Sequence, residues 1–230
     1  MELPTLKPER LYRQISSLLI GCIRKGQFAP GAMLPAEREL AKQLGVSRSS
    51  IREALIALEI TGWVEIRTGN GVFVMNPLPK TDAPLVEDEF SLKSLINARL
   101  IYEGMTAELA ARNGTDDQRA ELKEVTQDLV QLHVNDEKFL HEDKRFHLLI
   151  AEMTGNEVLA EMMEYLWNKR KSSRFLRLES HYAESDFPRE MNQDHANIAQ
   201  AIIERDPQRA KMCMESHIQH VYDRLFTGQN

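Results

Sequence analysis

A chain of 230 residues can bury one large core or two modest ones, and a composition of 42% hydrophobic and 28% charged residues is that of an ordinary globular protein. No apolar run is long enough for a membrane span and no apolar signal core opens the chain, which argues against membrane and export functions and makes the cytoplasm the expected location. The net charge of −6 speaks against nucleic-acid binding only while it is taken whole. Residues 1–76 carry ten Lys/Arg against seven Glu, a net of +3, and the remainder carries 19 basic against 28 acidic residues, a net of −9. A basic head on an acidic body fits a protein whose contact with DNA is confined to one module. Cys22 and Cys213 lie far apart without metal-like spacing, so a disulfide framework is not expected.

Residues 9–26 read as a first helix with Leu11, Ile15, Leu18, Leu19 and Ile23 on one face, ended by Gly26 and Pro30-Gly31. Pro35 is placed just inside the start of a second helix, where its missing N–H does no harm. Leu40, Ala41 and Leu44 give that helix its apolar spacing. Gly45 suits the left-handed residue that ends it, and Ser47 is a good N-cap for the next. The third helix repeats Ile51, Ala54, Leu55 and Leu58, and opens with Ser47, Arg48, Ser49, Ser50 and Arg52 on its outer side. Small hydroxyls allow close approach to a phosphate backbone, and arginine forks pair with phosphate or guanine edges. Trp63–Arg67 and Val72–Met75 then alternate around a Thr68-Gly69-Asn70-Gly71 turn, a hairpin signal. Helices, turn and hairpin in this order make a winged helix-turn-helix.

From Asn76 to Glu89 three prolines and scattered charges read as a linker. Beyond it the pattern is helical throughout. One helix runs from Leu92 to Arg112, and the capping box Thr115-Asp116-Asp117-Gln118 opens the next. Asn135 or Asp136 caps a third, reaching Met153. After Gly155-Asn156 a long helix extends to about Ser180, another spans roughly Glu184 to Glu204, and Asp206-Pro207 opens the last, which ends at Phe226. The fold class is mainly α: an N-terminal winged helix-turn-helix followed by an all-α helical bundle. The domains are residues 1–76 for DNA binding, 77–90 as linker, and 91–230 for effector sensing and dimerisation.

Seven histidines stand at 133, 141, 147, 181, 195, 217 and 220. Asp143 and His147 are one turn apart on a helix whose Phe139, Leu140, Phe146, Ile150 and Met153 point to the bundle interior. His195 precedes Ile198, Ala199 and Ile202 at inward spacing, and His217 follows Ala210, Cys213 and Met214 in the same way. One carboxylate and three imidazoles thus face the interior from three helices, a donor set that suits a first-row divalent ion, with Zn²⁺ the default. Spacing alone fits histidines that pack the core and bond to backbone carbonyls, or a capping role for His195, at least as well. It also leaves open a metal-dependent hydrolase or isomerase acting on a small organic acid. Against that reading, Glu142 and Glu152 sit off the face of Asp143 and His147, and no other base stands beside the ligands.

The run PGxxLPAERELAxxLGVSRSSIREALxxLExxGWVEIRxGxGxFV, covering about Tyr12 to Val74, resembles the DNA-binding domain of GntR-family transcription regulators. The resemblance implies that Arg38, Arg48 and Arg52 contact bases or phosphates. It makes Ser47, Ser49 and Ser50 the phosphate-side hydroxyls and Thr68-Gly69 the wing tip. It also implies a homodimer on a double-stranded inverted-repeat operator, and repression relieved by an effector. The helical half is similar to the FCD ligand-sensing domain of the FadR-like branch. That likeness marks Asp143, His147, His195 and His217 as ligands of a divalent metal, most simply zinc, and Arg99 as a group facing the effector. His133, His141, His181 and His220 match nothing in it. Trp167-Asn168-Lys169-Arg170 through His181, with DPQRAKMCMESHIQHV, is similar to regulators of hexuronate breakdown, so a small carboxylate such as a hexuronate is the expected effector.

Overall fold

The computed structural model describes residues 10–79, 91–132, 137–170 and 187–226. The chain forms two compact units; of the described residues the first holds 10–79 together with Leu225 and Phe226, and the second holds the helices from Leu92 to Arg224. Among the described residues there are nine helices and one two-stranded sheet, and no helix is long and apolar enough to cross a membrane.

In the first unit, α1 (Leu11–Arg24) buries Tyr12, Ile15, Ser16, Leu19 and Ile23. Ser16 Oγ donates to Tyr12 O at 2.9 Å within α1 and lies 3.2 Å from Ala54 O of the third helix, which records how closely the two helices cross. Leu11 and Leu18 were expected on this face and are exposed. They lie about 100° around the helix from its buried centre, and Tyr12 with Ser16 takes their place. Glu9, the expected start, falls outside the described residues. In α2 (Glu37–Leu44) the N-cap is Ala36, so Pro35 stands before the cap rather than inside the helix. Gly45, with φ 65°, ends α2 in the left-handed region as its sequence position requires. Ser47 caps α3 (Arg48–Ile60), its Oγ accepting from the Ser50 N–H.

The hairpin pairs β1 (Val64–Arg67) with β2 (Gly71–Val74) in antiparallel register, Val64 opposite Val74 and Arg67 opposite Gly71. Valine and isoleucine alternate inward, and Glu65 and Arg67 face out. One pairing has no forerunner in the sequence pattern: the segment before α2 lies along β2, with Leu34 N–H on Val72 O at 2.8 Å, Val74 N–H on Ala32 O at 2.9 Å, and a bridge between Met33 and Phe73. The expected linker is described only to Pro79.

The second unit is all helix: α4 (Leu92–Asn113), α5 (Asp116–Leu129), α6 (Glu137–Glu152), α7 (Glu157–Arg170), α8 (Phe187–Ile203) and α9 (Pro207–Phe226). Local signals set most boundaries. Ser91 caps α4, and Thr115 and Gln118 complete their reciprocal capping box at α5. Asp206 accepts from the Arg209 N–H at 3.0 Å ahead of Pro207. The proposed caps Asn135 and Asp136, the expected continuation of α7 over 171–180, and the start of α8 at Glu184 lie outside the described residues. Helix α4 packs on α6, α7 and α8, and α5 packs on α6 and α8. The interior is filled by Phe139, Phe146, Ile150, Trp167, Ile198, Ile202 and Ile218, while Leu140, expected inside, is exposed on the outer face of α6.

Two details tie this bundle together. Arg119 of α5 is buried and donates to three backbone carbonyls: Ala111 O at 2.9 Å, Gly114 O, and Ile202 O at 3.2 Å. These belong to the closing turns of α4 and α8, where helical carbonyls lack intrahelical partners. On α4, Gly104 lets α9 approach so closely that a Cβ there would stand 2.7 Å from Glu215 Cγ.

Candidate metal centre and nucleic-acid interface

The buried chemistry of the second unit gathers around α6. Asp143 and His147 project one turn apart from its inner face; His195 comes from α8 and His217 from α9, and all four are buried. The donor atoms of the three imidazoles lie within 4.8 Å of one another. Asp143 Oδ1 stands 3.1 Å from His195 Nε2 and 3.4 Å from His147 Nε2. Two ligands about 2.1 Å from a shared ion would be separated by roughly 3.0–3.4 Å, so these donors are spaced for one ion.

The orphaned atoms point the same way. Asp143 Oδ1, both ring nitrogens of His147 and of His195, and His217 Nδ1 are buried without a hydrogen bond. Buried polar atoms are costly when unsatisfied, and several in one cluster make a place where a cation could complete the bonding. Aromatic rings fix the geometry: Phe146 meets His195 edge-on at 4.9 Å and His147 at 5.4 Å. Trp167 lies 5.6 Å from the His147 ring.

A second layer of charge surrounds the donors. Arg170 of α7 donates from Nη1 to Asp143 Oδ2 at 2.5 Å, leaving Oδ1 toward the imidazoles. Arg99 of α4, expected to face the effector, is buried, and its Nε donates to Glu103 Oε1 at 2.6 Å. Both guanidinium groups lie over Trp167, at 5.7 Å for Arg99 and 4.6 Å for Arg170. Glu103 Oε2 stands 2.5 Å from His147 Nδ1, close but not aligned for a hydrogen bond. Asp194 Oδ2 is 3.5 Å from His217 Nδ1 and 2.9 Å from the Nδ1 of exposed His220.

Ionisation follows from these neighbours. Burial opposes a charge on Glu103, yet Arg99 and His147 outweigh it and hold the carboxyl at about 2. Asp143 feels the same burial, and Arg170 with the two imidazoles holds it well below the usual carboxylate range. Burial would lower His147, but Glu103 and Asp143 raise it. Desolvation prevails at His195, which is lowered. It prevails at His217 too, against the pull of Asp194, and takes that imidazole down to about 3. Neutral imidazole is the form that ligates a metal.

The sequence pattern thus anticipates that Asp143, His147, His195 and His217 meet in the interior, but not that Glu103, Arg170 and Asp194 stand beside them or that Arg99 pairs with Glu103. Arg99 and Glu103 stand at ion-pair spacing on one helix, a signal that was available. Asp194 offered none, because it neighbours His195 in sequence and serves His217 in space. Of the unmatched histidines, His141 is exposed beside a groove of about 580 Å³ with Asp128 and Lys138. His133 and His181 lie outside the described residues.

The first unit places its expected contact residues less uniformly. Arg38 and Ser47 are exposed and Arg48 is half-buried. Neither Arg38 nor Arg48 has an ion pair among the described residues. Two residues expected on the outer side of α3 are turned in. Ser49 is buried, its hydroxyl 2.8 Å from that of Ser47 within the cap, and Ser50 bonds the same oxygen at 2.9 Å. Arg52 is buried with Nε on Glu37 Oε2 at 2.8 Å, joining α3 to α2. Thr68 and Gly69 form the exposed hairpin tip. Beside them Arg67 stacks on Phe73 at 4.4 Å and pairs with Glu65.

A winged helix-turn-helix joined to a helical unit with a buried polar centre defines a ligand-responsive transcription regulator. Residues 11–74 match the family described as bacterial regulatory proteins, gntR family, and residues 94–220 match the FCD domain. The chain belongs to the GntR family of bacterial regulatory proteins, in the group that carries an FCD domain. It is 34% identical over 229 residues to the Uxu operon transcriptional regulator of Escherichia coli (strain K12), covering 96% of this chain and 89% of that protein. It is 31% identical over 232 residues to the Exu regulon transcriptional regulator of the same strain, covering 96% and 86%. The solved structure of E. coli McbR/YncC shares the fold, with a TM-score of 0.53 at 23% identity over 96% of this chain and 100% of that one. These relatives are regulators, and the hydrolase or isomerase alternative finds no support among them. FCD domains are known to bind metal, and His147, His195 and His217 are placed to hold an ion.

Proposed function

We propose that this protein is a cytoplasmic, homodimeric repressor of sugar-acid catabolism, released from its operator by a small carboxylate bound at a zinc site in the helical domain. The observation that carries the reading is the convergence of Asp143, His147, His195 and His217 with their hydrogen-bonding capacity unmet. The resemblance to the Uxu and Exu regulators selects a hexuronate as effector class. Zinc would be held by those four residues, and its chemistry is that of a Lewis acid that takes a carboxylate oxygen. Arg99 supplies a guanidinium for a carboxylate, on condition that the effector displaces or shares its bond to Glu103.

Residues 1–76 are the DNA-binding domain, 77–90 the linker and 91–230 the sensing and dimerising domain. Arg38 and Arg48 read or clasp the DNA, with Ser47, Ser50, Thr68 and Gly69 against the backbone. Ser49 and Arg52 take the roles that the family pattern gives them only by leaving the bonds described above. Two heads are needed for an inverted repeat. Exposed Ile101 and Met105 on α4, and Val158, Met162 and Tyr165 on α7, support burial against a second copy.

The test is operator binding, followed by fluorescence anisotropy at fixed salt, with zinc-loaded protein and a panel of glucuronate, galacturonate and fructuronate. Release by one uronate, abolished in His147→Ala, is the expected result. No change in DNA affinity or thermal midpoint with any of them would overturn the effector assignment.

A further inference from the structure

Three imidazoles meet at the centre, but only two of them are backed by a carboxylate. His147 turns Nδ1 to Glu103 Oε2, 2.5 Å away on α4, and Nε2 to Asp143. His217 turns Nδ1 to Asp194 Oδ2, 3.5 Å away on α8. Among the described residues His195 has no such partner on Nδ1; Phe146 meets it edge-on at 4.9 Å and Phe139 lies tilted at 6.4 Å. A histidine that ligates through one nitrogen is commonly held by a carboxylate on the other. That carboxylate fixes the ring orientation and the tautomer and raises the basicity of the donor, and its loss costs about 10–100-fold in metal affinity.

We infer that Glu103 and Asp194 are positioning residues of the metal centre, holding His147 and His217 as Nδ1–H tautomers so that each presents Nε2 to the ion. The inference rests on the metal reading above. It goes beyond that reading by assigning the site six working side chains rather than four, with the outer pair drawn from α4 and α8. Each has a further partner with a consequence. Glu103 is shared with Arg99, so whatever takes the Arg99 guanidinium also loosens the brace on His147. Asp194 is shared with His220, a half-exposed imidazole at 2.9 Å, so the brace on His217 extends to the surface of α9.

The experiment measures Zn²⁺ affinity of the full chain by competition with a chromophoric chelator, in wild type, Asp194→Asn, Glu103→Gln and His217→Ala. Long-range ¹H–¹⁵N spectra of the histidine rings in the metal-free protein are read in parallel. Wild type should bind one ion per chain, and His217→Ala should lose it. Asp194→Asn and Glu103→Gln should each bind about 10–100-fold more weakly, with the ring proton at His217 and His147 leaving Nδ1 for Nε2. Glu103→Gln strips a buried arginine of its charge partner and is the variant at risk of misfolding; Asp194→Asn, partly exposed, carries the test alone if that happens. Failure of wild type to bind Zn²⁺ overturns the metal reading. Wild-type binding lost in His217→Ala but unchanged in Asp194→Asn, with no tautomer shift, leaves the site standing and overturns the inference.

Discussion

Replacing Arg119 by methionine should weaken the helical domain more than any surface change of similar size. Its guanidinium is buried and serves carbonyls at the ends of two helices: Ala111 and Gly114 closing α4, and Ile202 closing α8. Methionine preserves length and apolar body but donates nothing, so three carbonyls in a dry corner lose a charged donor. A hydrogen bond to a charged group is worth about 1.5–3 kcal/mol net. The three share one side chain, and water will reach some of the freed oxygens, so their sum is an upper bound. A loss of about 3–5 kcal/mol follows. For a chain of this size that lowers the thermal midpoint by roughly 6–20 °C, at about 2–4 °C per kcal/mol. The assay is thermal unfolding by far-ultraviolet circular dichroism at matched protein and zinc concentrations. Arg119→Lys is the control: an ammonium keeps the charge but cannot fork to three oxygens, and should fall between. A midpoint within 2 °C of wild type for Arg119→Met would refute the clamp as described.

Three other outcomes are expected. Gly104→Ala forces the partly exposed Glu215 side chain out of a 2.7 Å contact, and with the gain in helix propensity set against it should cost about 0–2 kcal/mol net; adding Glu215→Ala should make the double variant at least as stable as Glu215→Ala alone, and no such rescue would show that the strain lies elsewhere. Stripping zinc with EDTA should lower the thermal midpoint by the linkage expected of a ligand bound only to the folded chain, about 2.7 kcal/mol at a hundredfold excess over the dissociation constant; His147→Ala should be indifferent to EDTA, and equal sensitivity of both proteins would remove the ion from this site. Arg48→Ala should cost about 1–3 kcal/mol of discrimination between the operator and a mismatched site, measured at fixed salt, and undiminished specificity would count against the docking of α3.

Much of this architecture is written locally. Thr115 and Gln118 announce the start of α5, Asp206-Pro207 that of α9, and Gly45 the end of α2, because each signal acts through backbone groups within a few residues. The convergence of the four proposed donors is legible for a related reason: Asp143 and His147 share a turn, and His195 and His217 each carry their own apolar spacing. What the pattern misses is decided across the fold. Nothing in Gly31–Leu34 alternates, so its pairing with β2 depends on where the hairpin happens to lie. Ser49 and Arg52 look free for DNA until Ser47 and Glu37 are placed beside them. Asp194 stands next to His195 in sequence but beside His217 in space, a relation that only the placement of α8 against α9 creates.

The order in which the donors leave the ribosome gives the centre a role in assembly. Asp143 and His147 sit on α6 and face the same way as soon as that helix forms, so a nascent chain offers half a binding site early. His195 follows on α8, but the last imidazole waits on α9, near the end of the chain. On the proposed metal reading, an ion would gain full coordination only once α9 has been made and has docked. A chain lacking α9 would keep the winged helix but lose His217, and with it any stability that an ion at the proposed site contributes.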